Sequence, residues 1–388
     1  MADGIDIGER LATAPELFTP LARSLPATVP FVGPEALERR MGIRFRARLG
    51  ANESVFGPSP RAAEAMARAA AGSWAYGDPE LSELREALAH KHGLTRAHIS
   101  VGEGIDGLLG HLVRLTCEPG DRVVTSLGAY PTFNYHVAGH GARLDLVPYR
   151  NDHEDVEALI ERARTLRPKL LYFANPDNPT GSWAEASTVR RLIDETPAET
   201  ILVLDEAYGD FAPEGTLPPS DLLRPNLLRF RTFSKAYGMA GVRIGYVFGD
   251  PASAVQFDKV RNHFGVSRIA QAGALAALGD DRFLRDTIER VARARDRIGA
   301  IARANGLAPL PSATNFVAID AGRDGTYARA LLDAVLRRGV FIRMPGVAPL
   351  DRLIRVTVGR DEDLDLFAEA LAGALDEVGG PDERLSGS

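Results

Sequence analysis

Residues 232–243 read Thr232, Phe233, Ser234, Lys235, Ala236, Tyr237, Gly238, Met239, Ala240, Gly241, Val242 and Arg243. One lysine sits between small hydroxyl residues, then two glycines and an arginine follow, so an amine and a permanent cation lie close together in a turn. Only Lys91, Lys169, Lys235 and Lys259 are lysines among the 46 lysines and arginines, which leaves 42 arginines. Arginine cannot lose its proton and attack a carbonyl, whereas a lysine in a desolvated, cation-flanked site can. Taken alone the stretch is open to two readings, a Schiff-base lysine and a surface lysine.

Apolar runs flank it at 227–233 and 244–248, and further runs lie upstream at 99–101, 122–126, 144–149, 169–174 and 200–204. Helical patterns at 105–116, 132–138, 152–166 and 184–194 alternate with them. This alternation predicts an α/β domain whose mainly parallel sheet is covered by helices on both faces. Ligands in such sheets sit at the carboxyl ends of the strands, so the residues that follow each run become candidates.

Three strand ends carry polar groups. Gly102, Glu103, Gly104, Ile105, Asp106 and Gly107 form a glycine-rich turn opening a helix, which suits an anion but equally suits a helix that only needs glycine at its start. Its spacing is not the G-x-G-x-x-G of a dinucleotide fold. Asn175, Pro176, Asp177, Asn178, Pro179, Thr180 and Gly181 form a rigid turn, and an ordinary β-turn would explain the prolines but not two asparagines. Asp205, Glu206, Ala207 and Tyr208 end a fully apolar strand, where a carboxylate needs a cation unless it serves as a cap or in an ion pair. Lys235 and Arg243 on a neighbouring strand end make a cationic heterocycle with a phosphate tail the economical partner.

The outer parts of the chain complete the layout. Residues 1–48 carry Pro15, Pro20, Pro26, Pro30 and Pro34 and read as an irregular arm with a short helix at 34–41, packing on the small domain or a partner subunit. Ser59 before Pro60 starts a helix to about residue 71, Tyr76 lies in the turn at 74–79, and a second helix covers 79–92. Helical patterns at 252–261 and 267–305 follow, then strands at 315–319, 340–343 and 353–358 and helices at 326–338 and 362–378. Asp361, Glu362 and Asp363 suit the start of that last helix. The expected division is a large cofactor-binding domain at 49–265, a smaller α+β domain at 266–378 and a tail at 379–388.

Composition narrows the class. The 388 residues, 25% charged with a formal net charge of -6 and no long run of either sign, describe an ordinary globular protein and argue against a nucleic-acid or membrane surface. Cys117 is the single cysteine, which excludes an intrachain disulfide and any multi-cysteine metal site and fits a reducing cytoplasm. Asp3, Asp6 and Glu9 precede no apolar run, so a secretory leader is not expected, and no stretch approaches the ~18 apolar residues of a membrane span.

The ordered set G-x-G-x-D, N-P-D-N-P-T-G, D-E-A-Y, S-K-A-Y-G-x-A-G-x-R and R-V-T-V-G, running from about Asn52 to Gly359, resembles the pyridoxal-phosphate aminotransferases of fold type I and most closely their histidinol-phosphate aminotransferase branch. The resemblance implies that Lys235 carries pyridoxal 5'-phosphate as an imine and later moves the proton. It implies that Asp205 pairs with the pyridine nitrogen, that Tyr208 and Asn178 meet the ring's phenolic oxygen, and that Tyr130 stacks on the ring. The phosphate falls to the amides of Ile105 and Asp106, to Thr232 and Ser234, and to Arg243, with Tyr76 reaching it from a neighbouring subunit of a homodimer. Arg355 corresponds to the arginine that grips the substrate's α-carboxylate, and Arg343 is open to a substrate role or a surface ion pair. No metal is implied.

Two departures bear on the substrate. Ile105, Asp106 and Gly107 stand where the family usually has S-D-E, and Ser54, Val55 and Phe56 stand where it commonly has N-P-Y or N-P-F. The side-chain pocket is expected from Arg261, Asn262, His263 and Phe264 with Arg268 and Arg343. The main reading is transamination from histidinol phosphate or a similar amino acid to 2-oxoglutarate. The alternative is another reaction with the same fold and cofactor, as a decarboxylase, lyase or cyclase, or an aromatic or other amino-acid aminotransferase, and a regulatory module without turnover ranks far below, for lack of a helix-turn-helix pattern or basic patch in the first 50 residues. Borohydride treatment of the cofactor-loaded protein is expected to leave a pyridoxyl adduct on Lys235 alone, read by peptide mass mapping; an adduct on Lys91, Lys169 or Lys259 instead would refute the assignment.

Overall fold

The computed structural model describes residues 17–26 and 31–381. The acidic start at Asp3, Asp6 and Glu9, the rest of 1–16, residues 27–30 of the arm and 382–388 of the tail lie outside the described residues.

The strands are, in chain order, β1 (Ala47–Arg48), β2 (Ile99–Gly102), β3 (Arg122–Ser126), β4 (Arg143–Val147), β5 (Leu170–Ala174), β6 (Ile201–Asp205), β7 (Leu227–Thr232), β8 (Gly245–Gly249), β9 (Ala308–Pro309), β10 (Phe316–Asp320), β11 (Val340–Phe341) and β12 (Leu353–Thr357). Seven of them form one sheet in the order β2-β8-β7-β6-β5-β3-β4. Only β8 runs antiparallel to its neighbours β2 and β7. The carboxyl ends of the other six therefore lie along one edge. A second, antiparallel sheet has the order β12-β10-β9, and β1 pairs in parallel with β11.

Alternation along the strands explains why the large sheet reads as nearly continuous apolar runs. Leu170, Tyr172 and Ala174 of β5 pack with Leu108, Leu112 and Phe133 from the helices Gly104–Thr116 and Pro131–Gly139. Leu171 and Phe173 face the opposite way, onto Leu159, Ile160, Val189 and Leu192 from Val156–Leu166 and Ala186–Glu195. Both faces are buried, as parallel sheets require. A further core around β10 and β12 is closed by the helices Asp281–Ala304, Gly325–Arg337 and Asp361–Val378, and it also takes in Tyr208 and Ala236.

Most expected elements are present, with shifted ends. Ser59 caps Pro60–Ala70 by accepting the Ala62 N–H at 3.1 Å, and Arg360 N–H donates to Asp363 Oδ2 at the start of the last helix. The expected helix at 267–305 is two helices, Arg268–Leu278 and Asp281–Ala304. Gly279 ends the first and Asp280 caps the second by accepting from Phe283 N, a stop and a start side by side. The pattern at 252–261 becomes Pro251–Ala254 followed by a 3₁₀ turn, Val255–Lys259. Among the described residues, the short elements that were not expected include the helix Pro20–Ser24, the strands β1 and β9 and the 3₁₀ turns Arg96–His98, Gly209–Phe211, Ala240–Val242 and Leu350–Arg352.

Asp205 and Glu206 point to opposite sides of the sheet edge, and Glu206 anchors the buried side. Glu206 is fully buried and accepts from Arg229 Nη2 at 2.7 Å and Arg231 Nε at 2.8 Å, both on β7. Arg229 also donates to the carbonyls of Pro218 and Pro219. Removing one member of such a group strands the others without partners. Glu206→Ala is expected to destabilise the protein by about 3–5 kcal/mol, seen as a drop in unfolding midpoint; a loss no larger than that of an exposed substitution would show that the triad does not hold β6 to β7.

Candidate functional site

A cavity of about 250 Å3 opens where the strand ends converge. Ile105, Asp106, Tyr130, Asn178, Asp205, Tyr208, Thr232, Ser234, Lys235, Arg243, Arg343 and Arg355 all line it, from seven separate stretches of chain. Tyr76 does not. It is 75% exposed and stacks on Phe264 at 4.4 Å. Nor does the stretch expected to shape the side-chain pocket reach this cavity. Arg261 donates to Asp258 and to the Pro79 carbonyl, Asn262 to Glu103, and Arg268 to the Tyr76 carbonyl, so their side chains are spent on packing a separate face.

Asp205 ends β6 and is 5% exposed. Its Oδ2 accepts from Tyr172 Oη at 2.6 Å and its Oδ1 from the Ala207 N–H at 2.9 Å. Burial pushes its carboxyl above the ordinary range, against the pull of those two donors. A cation arriving in the cavity would meet that unneutralised carboxylate. Tyr172 is a residue the sequence reading missed, although a tyrosine inside the apolar run of β5 needs a partner for its hydroxyl.

Lys235 follows β7 in the turn opened by Phe233 and Ser234. Its Nζ donates to the Asn52 carbonyl at 2.9 Å and lies 5.5 Å from the centre of the Tyr208 ring. Desolvation first, then Arg355 and Arg243, lower its pKa to about 8 against Glu53 and Asp205, which act the other way. The amine is thus far closer to its neutral, nucleophilic form at physiological pH than an ordinary lysine.

One end of the cavity is built for an anion. The helix Gly104–Thr116 presents its first amides there, with the Thr232 and Ser234 hydroxyls and the Arg243 guanidinium alongside. Gly104 has φ of +84° and a Cβ on it would sit 2.6 Å from Arg243 Nη2, while a Cβ on Gly245 would sit 2.9 Å from the Ile105 nitrogen. Only glycine lets arginine and amides converge this closely. Asp106 turns its carboxylate away, onto His136 Nε2 at 2.8 Å. Two guanidiniums occupy another wall, since Arg343 and Arg355 face each other across an antiparallel bridge. Arg355 Nη1 donates to Asn178 Oδ1 at 2.5 Å and its Nε has no partner among the described residues, while Arg343 Nη2 donates to the Val32 carbonyl and its guanidinium lies 4.8 Å from the Phe31 ring centre. Burial lowers Arg355 to about 10, with Arg343 adding to the effect. Asn52, Glu53 and Phe31 also line the cavity and were not singled out from the sequence. Among the described residues, no group of three or more His, Cys, Asp or Glu side chains is placed to hold a metal ion.

The donor set fits a phosphorylated pyridinium aldehyde: an amine for the aldehyde, a buried carboxylate for the ring nitrogen, and amides, hydroxyls and a guanidinium for the phosphate. The amine can be tested without any ligand. The folded chain releases the Lys235 proton at about 8 where an ordinary lysine does so near 10.5, so between those values the unfolded chain binds more protons and stability rises with pH. Lys235→Met removes a charge that is unfavourable below that window. The cofactor-free variant is therefore expected to melt above the parent at pH 7, with the gap shrinking as the pH is raised through the window; a gap constant with pH would refute the lowered pKa.

Known proteins supply an independent comparison. The sequence pattern of the family described as aminotransferase class I and II matches residues 47–371. A relative called histidinol-phosphate aminotransferase 1, from Mesorhizobium japonicum, is 35% identical over 350 residues, covering 88% of this chain and 93% of the relative. A crystal structure of histidinol-phosphate aminotransferase from Sinorhizobium meliloti in complex with pyridoxal-5'-phosphate is 54% identical, with a TM-score of 0.91 over 94% of this chain and 98% of that one. Aspartate aminotransferase from Thermus thermophilus with maleate is 27% identical, with a TM-score of 0.75 over 88% and 94%. With a match spanning most of its length and the expected strand ends converging on one cavity, this chain belongs to the aminotransferase class I and II family.

Proposed function

We propose that this protein is a pyridoxal 5'-phosphate-dependent aminotransferase that takes the amino group of histidinol phosphate and passes it to 2-oxoglutarate. The observation that carries the reading is one cavity holding a weakly basic Lys235, a buried Asp205 and a paired Arg343 and Arg355. The cofactor, when bound, supplies a carbonyl that joins to an amine and a ring that withdraws electrons from the substrate's α-carbon.

The chain's own residues do the rest. Lys235 Nζ would hold the cofactor and, as a free amine, would remove the substrate's α-proton and return it elsewhere. Asp205, oriented by Tyr172 and the Ala207 N–H, holds the ring nitrogen in its protonated state. Tyr130 would cover the ring face, Tyr208 and Asn178 would meet the ring oxygen, and Ile105, Asp106, Thr232, Ser234 and Arg243 would hold the phosphate. Arg355 and Arg343 grip the substrate's oxyanion, which is a phosphate ester in histidinol phosphate and a carboxylate in 2-oxoglutarate. Two adjacent guanidiniums suit either anion.

The exposed Tyr76 beside Phe264 supports a homodimer in which each subunit lends that tyrosine to its partner's phosphate site. We assign residues 1–48 to an arm, 49–265 to a large cofactor-binding domain, 266–378 to a small domain and 379–388 to a tail. A cytoplasmic location is supported by the single cysteine and by the absence, among the described residues, of a helix long and apolar enough to cross a membrane.

Mixing the loaded enzyme with single donors tests the reading, with formation of pyridoxamine phosphate followed by absorbance. Histidinol phosphate is expected to convert the cofactor faster than any aromatic amino acid, and Arg355→Lys to raise its KM about tenfold or more, since a lysine cannot grip an oxyanion with two parallel bonds. Failure of every donor to convert the cofactor would sink the transaminase reading in favour of another reaction on the same scaffold.

A further inference from the structure

Asn52 stands on the cavity wall with no role assigned by motif or resemblance. It is 3% exposed and has φ of 56°, in the left-handed region that costs most L-residues about 1–2 kcal/mol and that asparagine tolerates better than most. Its N–H donates to Thr357 Oγ1 at 3.0 Å, the Thr357 hydroxyl donates to Asn52 Oδ1 at 3.0 Å, and Asn52 Nδ2 donates to Tyr208 Oη at 2.9 Å. Its carbonyl accepts from Lys235 Nζ and from Asn315 Nδ2.

Thr357 settles which way the amide faces. Its oxygen already accepts the Asn52 N–H, so its own proton needs an acceptor, and Oδ1 is the one in reach. The amide nitrogen is thereby turned to Tyr208. A phenol that accepts a hydrogen bond sends its own proton elsewhere, and Tyr208 borders the cavity. We propose that Asn52 is a positioning residue: by donating to the Tyr208 oxygen, it makes that phenol a hydrogen-bond donor toward the ring oxygen of the cofactor. The inference rests on the proposed function, in which Tyr208 meets that oxygen. A donor there stabilises the oxygen's anionic form, so the bound cofactor loses its proton at lower pH.

Asn52→Gly deletes the amide while tolerating the backbone conformation. Asn52→Asp keeps the fit but offers only acceptors, which reverses the bond to Tyr208. The readouts are the pH midpoint of the holoenzyme's visible-band change and the affinity of the cofactor-free protein for pyridoxal 5'-phosphate. Asn52→Gly is expected to raise the midpoint by about half a unit or more and weaken binding about threefold, and Asn52→Asp to raise the midpoint further. In a Tyr208→Phe background, Asn52→Gly is expected to move neither. An unmoved midpoint in Asn52→Gly, or an equal shift with and without the phenol, overturns the proposal. If Tyr208→Phe alone leaves the midpoint in place, the reading of Tyr208 itself fails. Thr357→Val, which frees the amide to turn over, is expected to raise the midpoint too, and decides the matter should Asn52→Gly not fold.

Discussion

A carboxylate buried at the end of an apolar strand governs this site. Asp205 is 5% exposed, and the two donors that reach it, the Tyr172 hydroxyl and the Ala207 amide, bring no full positive charge. A buried acid in that position persists when function demands a cation beside it. The rest of the cavity is arranged around the space in which that cation would sit.

The opposite walls carry the complementary excess. Lys235, Arg243, Arg343 and Arg355 share one small volume with Asp205 and Glu53. Mutual repulsion and desolvation have two effects that a single mechanism needs together. They make the lysine a better nucleophile, and they leave guanidiniums whose demand for oxyanions is met by phosphate and substrate.

Such a balance works only if the strand ends keep their spacing. On the far side of the same edge, Glu206 ties Arg229 and Arg231 to β6, and Arg229 reaches on to the 218–219 carbonyls. Residues one step apart thus divide into a functional face and a structural one, the period of two that a strand imposes. The β10 and β12 sheet brings Arg355 to the cavity wall, and the backbone bridge between Arg343 and Arg355 sets the two residues opposite each other.

Much of this was legible in the residues alone. All seven strands of the large sheet could be placed because a sheet buried on both faces must be written as short apolar runs, and ligand sites in such sheets must follow those runs. The glycine and aspartate at 279–280 could have divided the long helix, and the tyrosine of β5 could have signalled a buried partner, since both are local signals. What the sequence by itself determined was therefore the chemistry at each strand end: a rare lysine, an acid closing an apolar run, and amides in a proline-locked turn. Only the tertiary structure decided which of those groups meet and which way their hydrogen bonds run. Asn52 lies 156 positions from Tyr208 and 305 from Thr357, and its role comes from a proton whose direction is set by a third residue. No periodicity along the chain encodes that, because hydrogen-bond polarity is a property of the closed network and not of any segment within it.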